Sequence, residues 1–167
     1  MENPMTTNPE NAAGSAEFTM THVFNAPRDL VWKVWTDPAH AKHWWGPNGF
    51  TTTVYESDLR PGGALVRHMR APDGTIVRSA GINEEVIAPE RLVTSGQLER
   101  PGEPAFEIRT SVTFEEHDGK TTVTVHQAYS KMTAAAAATA VEGARTGWSQ
   151  SVNRFEAYIS SLLEQQA

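Results

Sequence analysis

The sequence has no cysteine among its 167 residues. Disulfides, thiol nucleophiles and thiolate metal sites are therefore excluded, and the absence favours a reducing compartment. The chain also has no run of Lys or Arg longer than two residues, and its formal net charge is -6. Because nucleic acids and anionic membrane surfaces bind clustered positive charge, we expect neither as a partner.

Long hydrophobic runs are missing as well, and none approaches the roughly 20 residues that span a bilayer. Residues 1–16 are polar and lack the basic start and apolar stretch of a secretory signal. Charged residues make up 20% and hydrophobic residues 39% of the chain, the balance of one globular domain. We therefore expect a cytoplasmic protein, with a disordered leader over residues 1–16 and one domain over residues 17–165.

Common catalytic and cofactor motifs are absent from the sequence. It has no nucleophile elbow, no glycine-rich phosphate loop and no dinucleotide fingerprint, so we expect no cofactor. His40 and His43 have the i, i+3 spacing of two metal ligands on a short helix. No third ligand follows nearby, and this pattern favours a solvated helix face without a metal.

The two ends of the chain carry the helix signals. Residues 17–25 are typical of a strand, and Pro27 and Asp29 mark the start of a short helix. Asp37 and Pro38 predict the cap of a second short helix that continues through Trp44. Near the C-terminus, apolar residues recur at spacings of 4, 3, 4 and 3, the stripe of an amphipathic helix: Trp148, Val152, Phe155, Ile159 and Leu162.

Between these ends, residues 50–130 have the pattern of strands separated by turns. Asp-Gly is a strong hairpin signal, and a two-residue turn fixes which residues face each other. Counting from Asp73-Gly74 pairs Met69 with Arg78, Arg67 with Ala80, and Leu65 with Ile82. Together with Glu84 and Val86, these residues form the predicted inner face, whereas His68 falls outside.

The same counting from Asp118-Gly119 gives a clearly apolar inner face. It pairs Phe114 with Val123, Val112 with Val125, Thr110 with Gln127, and Ile108 with Tyr129. His126 is then predicted to point outward. A change of one residue in either loop would invert the assignment of the faces.

The aromatic stripe of the last helix needs a large concave surface to cover it, and only the sheet can supply one. We therefore predict an α+β fold in which a curved antiparallel sheet of six to seven strands wraps around a long C-terminal helix. The two short helices close one end of this arrangement.

Several short motifs, taken in order, resemble the START-like, helix-grip (SRPBCC) superfamily. The similarity is greatest to the branch named for homology to the activator of the heat-shock protein 90 ATPase, and it covers residues 17–163. The motifs that carry it are Ala26-Pro27, Val31-Trp32, Asp37-Pro38, Trp44-Trp45-Gly46-Pro47, Arg60-Pro61-Gly62-Gly63, Pro72-Asp73-Gly74, Gly81, Pro89-Glu90-Arg91-Leu92 and Gly147-Trp148.

This resemblance implies a cavity between the sheet and the long helix that receives lipids, polyketides, hormones or other apolar molecules. Some members of the superfamily are cyclases or dehydrases, some only bind, and one branch binds a chaperone. Because the matched motifs are mostly structural, they imply the fold more strongly than an activity. A charge at Arg67 departs from similar sequences, which tend to be apolar there.

Polar residues on the predicted inner face are the candidates for ligand contact. Arg67 and Arg78 suit a ligand carboxylate or phenolate, and an internal ion pair of either with Glu84 is the alternative. Polar side chains on the last hairpin could orient a ligand or could satisfy one another. The full predicted ligand-binding set is Arg67, Met69, Arg78, Glu84, Thr110, Gln127, Tyr129, Trp148 and Phe155.

Two further observations bear on the cavity and on catalysis. Gly143 and Gly147 would thin the long helix and leave space beside it, at a cost of about 1 kcal/mol each relative to Ala. For a reaction, Glu84 is the candidate base with a raised pKa, and Tyr129 or Arg67 would stabilise an oxyanion.

Binding of a small apolar molecule is the leading hypothesis from the sequence. A polyketide cyclase or dehydrase that uses the same pocket is the first alternative. A module that acts on a chaperone ATPase is the second.

Overall fold

Seven antiparallel strands and three helices make up the computed structural model, which describes residues 13–166. The strands form one sheet in the order β1-β7-β6-β5-β4-β3-β2. The elements along the chain are β1 (Ala13–Phe24), α1 (Arg28–Thr36), α2 (Pro38–Trp44), β2 (Thr51–Ser57), β3 (Gly63–Arg70), β4 (Ile76–Ile87), β5 (Arg91–Glu99), β6 (Phe106–His117), β7 (Lys120–Thr133) and α3 (Ala134–Gln166).

This architecture confirms the predicted α+β helix-grip fold, with seven strands, two short helices and a long C-terminal helix. β1 begins at Ala13, so strand structure extends into the segment predicted as a leader. The rest of that segment, residues 1–12, lies outside the described residues. Within the described part of the chain, no helix combines the length and hydropathy needed to cross a membrane.

The short helices begin where the sequence predicts. Pro27 precedes α1, and Asp29 lies in its first turn, where a negative charge complements the helix N-terminus. The Asp37 carboxylate accepts a hydrogen bond from the backbone N–H of Ala39 at 2.9 Å and so caps α2.

The hairpin between β6 and β7 has the predicted register. Asp118 and Gly119 form a two-residue turn with φ values of 53° and 77°, the left-handed conformation that a type I′ turn requires. Phe114 therefore pairs with Val123 and Ile108 with Tyr129.

The predicted register of the β3–β4 hairpin is wrong by one residue. Met69 pairs with Val77 rather than with Arg78, because the loop contains three residues, Pro72-Asp73-Gly74. The backbone N–H of Ala71 donates to Thr75 O, and the N–H of Gly74 donates back to Ala71 O. Pro72 suits the second position of such a turn, and Gly74, at φ 91°, supplies the left-handed residue of a three-residue loop.

This shift reverses the predicted facing of β4 as far as Asn83, so Val77, Ser79, Gly81 and Asn83 point inward. A β-bulge follows at Glu84, and beyond it Val86, which pairs with the buried Leu92, packs against the core as predicted. Ile82, predicted to be in the core, is 41% exposed on the outer face.

The predicted apolar stripe of α3 lies against the sheet and the short helices. Trp148, Val152, Phe155 and Ile159 are all buried. The ring centroid of Phe155 is 4.6 Å from that of Phe24 on β1 and 4.9 Å from that of Trp44 on α2. The C-terminal half of α3 is therefore the part that fills the aromatic core.

Candidate ligand cavity

A cavity of about 1030 Å³ lies between the inner face of the sheet and the N-terminal half of α3. Trp148 separates it from the core, since its ring stacks on Trp35 of α1 at 5.8 Å and also lines the cavity. Gly143 and Gly147 line it from the helix side. This agrees with the prediction that the two glycines leave space beside the long helix. A Cβ on Gly143 would meet no atom within 4 Å, whereas one on Gly147 would lie 3.4 Å from Pro47 Cγ.

The floor of the cavity is a row of the sheet that contains two glycines. Gly81 of β4 pairs with Gly96 of β5, and the row continues to Leu65 on one side and to Ile108 and Tyr129 on the other. A Cβ on either glycine would overlap a backbone carbonyl of the adjacent strand. The space above the middle of the sheet is therefore free of side chains from these two positions.

Most of the predicted ligand-contacting residues line this cavity. Six of the nine do so: Arg67, Met69, Thr110, Gln127, Tyr129 and Trp148. Phe155 does not, because it is fully buried between the short helices and β1 in the aromatic core.

The predicted inner positions of Arg78 and Glu84 are wrong. The β4 register puts Arg78 on the outer face, and Glu84, at the β-bulge that follows Asn83, directs its carboxylate to the same face. There the Arg109 guanidinium donates to the Glu84 carboxylate at 3.2 Å. A hydrogen bond from Ser95, followed by this contact with Arg109, lowers the pKa of Glu84. Since a general base in the cavity needs the opposite position and the opposite pKa shift, Glu84 cannot be the predicted base.

Three polar side chains on the inner face of β6 and β7 form a connected chain of hydrogen bonds. The Tyr129 hydroxyl donates to Gln127 Oε1 at 2.5 Å, and Gln127 Nε2 donates to Thr110 Oγ1 at 2.9 Å. Burial raises the pKa of Tyr129 well above its usual range, so its phenol stays neutral. These side chains therefore hydrogen-bond to one another, which is one of the two interpretations offered by the sequence. They also line the cavity.

Arg67 of β3 has a different environment. Its guanidinium carbon lies 4.1 Å from the ring centroid of Trp45, a cation–π contact, and 6.0 Å from that of Tyr55. Among the described residues its buried Nε has no hydrogen-bond partner. Burial lowers the pKa of Arg67, with Tyr55 acting in the opposite direction. Burial also raises the pKa of Tyr55, which is therefore neutral and supplies no countercharge.

Charged side chains also line the outer part of the cavity. Arg100 and Glu103 follow β5, and Lys131 lies near the end of β7 with a left-handed φ of 65°. Together with Arg67, the lining carries three cationic side chains and one carboxylate. The cavity is thus locally positive in a chain whose net charge is -6.

The predictions missed several lining residues, including Trp45, Gly96 and the two rim cations. A glycine inside a strand often marks a close backbone approach, so Gly96 could have been found from that signal. Trp45 directly follows the buried Trp44. Because α2 ends at Trp44 and Trp45 is in an extended conformation, the two adjacent rings have different surroundings, which the sequence does not indicate. Arg100 and Lys131 have no comparable signal in the sequence.

The histidines lie away from the cavity. His126 is on the outer face as predicted, with Nε2 3.0 Å from a Glu17 carboxylate oxygen. His68 is also on the outer face of β3, as predicted. His40 Nδ1 is 2.8 Å from the Tyr158 hydroxyl, and His43 stacks on the same ring at 5.1 Å.

A curved antiparallel sheet closed by a long C-terminal helix, with two short helices at one end, defines the START-like, helix-grip class of protein. Residues 25–160 match the family described as Activator of Hsp90 ATPase homolog 1-like protein, and the chain belongs to that family. This confirms the resemblance found in the sequence. Among curated proteins, none matches the chain.

Solved structures from several bacteria share the fold. A Mycobacterium smegmatis protein is 27% identical with a TM-score of 0.73, covering 87% of this chain and 92% of its own. A Chromobacterium violaceum protein is 24% identical with a TM-score of 0.73, covering 84% of this chain and 94% of its own. The Silicibacter pomeroyi protein described as AHSA1 is 16% identical with a TM-score of 0.69, covering 87% and 98%. The last two support the fold alone.

Proposed function

We propose that this protein binds a small, largely apolar molecule in the cavity between the sheet and α3. The observation that carries the proposal is an interior space of about 1030 Å³ beside a buried aromatic core. Ligand pockets in proteins commonly have volumes of roughly 300–1,000 Å³, mostly apolar walls and a few placed polar groups. This cavity has that character, since aromatic and aliphatic side chains surround the Tyr129–Gln127–Thr110 chain.

Catalysis in the same cavity is less well supported. The predicted base, Glu84, lies outside, and the hydroxyl of Tyr129, a predicted oxyanion stabiliser, already donates to Gln127 Oε1. Within the described residues, the carboxylate that lines the cavity is Glu103, which is exposed at the rim. The chaperone alternative rests on the family description alone.

The proposal is tested by a titration with Nile red, an uncharged apolar dye whose emission rises in apolar surroundings. Gly143→Phe places a large side chain in the open space beside α3 and should abolish the rise. Gly143→Ala, which adds one methyl group, should retain it. Ala138→Phe adds the same aromatic ring at an exposed position of α3 outside the cavity lining, and should also retain it.

Two results would contradict binding in the cavity. One is the absence of any emission change with the wild-type protein. The other is an equal response from wild type and Gly143→Phe, which would place the dye elsewhere.

A further inference from the structure

Arg67 is a charged side chain in the cavity wall without an ionic partner. The ion pairs among the described residues do not include it, and its buried Nε lacks a hydrogen-bond acceptor. Arg67 is partly buried, with its Nε fully buried, and a charge removed from bulk water is costly unless it is paired. Contact with the Trp45 ring offsets only part of this cost, because a cation–π contact contributes about 0.5–2 kcal/mol.

The sequence suggested that Glu84 could neutralise this arginine, but the β4 register excludes it. Ser79 and Val77, not Glu84, occupy the inner face beside β3, and the Glu84 carboxylate pairs with Arg109 outside. Tyr55, the cross-strand neighbour of Arg67, is held neutral by its burial. Trp45 and Tyr55 therefore favour the charged form of Arg67, but no described carboxylate forms an ion pair with it.

We propose that the ligand carries an anionic oxygen group, such as a carboxylate, that binds the Arg67 guanidinium beside Trp45. This inference rests on the proposed function and adds a chemical class: an apolar molecule with one acidic group. Arginine presents its N–H donors in a planar fork that matches a carboxylate. Because Nε itself is buried, the donors that can reach a ligand in the cavity are the Nη groups. The apolar body of the ligand would then lie over Gly81 and Gly96, where the sheet offers open space.

The charges at the rim agree with this ligand class. Arg100 and Lys131 add two cations to the lining, against the single carboxylate of Glu103. A locally positive opening raises the local concentration of anionic molecules and their rate of entry. An uncharged ligand would draw no benefit from this arrangement.

The test uses a matched pair of fluorescent probes, 11-(dansylamino)undecanoic acid and its methyl ester, at neutral pH. They share the apolar body and differ in the anionic group. We expect the wild-type protein to bind the acid about tenfold or more tightly than the ester, because only the acid forms charge-assisted hydrogen bonds with Arg67. Arg67→Met should remove that preference, so that its affinities for the acid and the ester agree within about twofold.

Arg78→Met is the matched control, since it removes the same charge from the outer face of the neighbouring strand. It should retain the full preference for the acid. Arg67→Lys keeps the charge without the planar fork and should give an intermediate preference. A thermal melt separates these effects from folding. Arg67→Met should unfold at the same temperature as wild type or higher, because it removes a partly buried charge that has no anionic partner.

The outcomes separate the two proposals. Equal affinity of wild type for acid and ester, or an acid preference that survives Arg67→Met, would overturn the acidic-ligand inference and leave cavity binding intact. So would binding of Nile red with no binding of the acid. Failure of the acid, the ester and Nile red together would overturn cavity binding itself.

Discussion

Gly81 lies directly opposite Gly96 in the pairing of β4 with β5. Their backbones approach so closely that a Cβ on Gly81 would overlap the carbonyl oxygen of Ser95, and one on Gly96 would lie 2.5 Å from that of Ala80. Two glycines weaken a strand, and their position here is explained by this close approach and by the open space above them. The floor of the cavity therefore depends on residues without side chains.

Gly81→Ala should destabilise the protein. The added methyl group has to displace the backbone of β5, and overpacking of this kind costs about 1–3 kcal/mol. The free energy of unfolding, measured by urea denaturation, should fall by that amount. A variant as stable as wild type would show that the two strands can separate at no cost.

Gly143→Ala is the converse substitution on α3 and should stabilise the protein. A Cβ here meets no atom within 4 Å, and alanine favours a helix over glycine by about 1 kcal/mol. Urea denaturation should show a gain of up to that size with Nile red binding retained. A loss of stability would mean that the space beside the helix is filled.

The two Asp-Gly turns show what the sequence could and could not predict. Asp118-Gly119 follows the simple rule, and the β6–β7 register came directly from counting. Pro72 changes the rule at Asp73-Gly74, because proline favours a type I turn and lengthens the loop by one residue. That single residue reverses the faces of β4 as far as the bulge at Glu84, so the predicted inner positions of Arg78 and Glu84 are wrong.

The fold was more predictable than the site. The apolar stripe of α3 and the caps of the short helices are local sequence patterns, and each predicts a helix that the structure contains. The cavity depends on how far α3 stands from the sheet, which no local pattern encodes. The alternation of β3 predicts Arg67 on the inner face. That Arg67 has no ion-pair partner can be recognised only when the register of β4 is known, because that register moves Glu84 to the outer face.

The ion pair of Glu84 with Arg109 predicts a pH dependence on the outer face. The pKa of Glu84 is lowered from 4.5, so the unfolded chain binds the proton more tightly than the folded protein. The contribution of Glu84 to stability is therefore complete above about pH 4.5 and is lost as the pH falls below the folded-state value. Glu84→Gln should lower the free energy of unfolding by less than about 1 kcal/mol at pH 7, because the pair is partly exposed.

At pH 3 the difference between Glu84→Gln and wild type should shrink. A double-mutant cycle with Arg109→Met should give a coupling free energy that follows the same trend. Binding of Nile red should be unchanged in Glu84→Gln at pH 7. Loss of binding in this variant would contradict the outer position of the side chain.

Arg154 of α3 should be important for the loop between α2 and β2. Its Nη1 donates to Gly46 O at 2.8 Å and to Pro47 O at 3.0 Å, and burial lowers its pKa. Arg154→Lys keeps the charge but cannot reach several carbonyls at once, so we expect a loss of about 1–3 kcal/mol. Urea denaturation should show this loss, while the exposed Arg78→Lys should change stability by less than about 0.5 kcal/mol. Equal effects of the two variants would refute a specific role for Arg154.

The location of a bound molecule tests the central claim most directly. In a two-dimensional ¹H–¹⁵N NMR titration with 11-(dansylamino)undecanoic acid, we predict shifts of the backbone amides of Gly81, Gly96 and Gly143 and of the indole N–H groups of Trp45 and Trp148. The amides of Ile82 and His126, whose side chains point outward, should change much less. Shifts confined to the outer face, or no shifts with either this acid or Nile red, would contradict a ligand cavity between the sheet and α3.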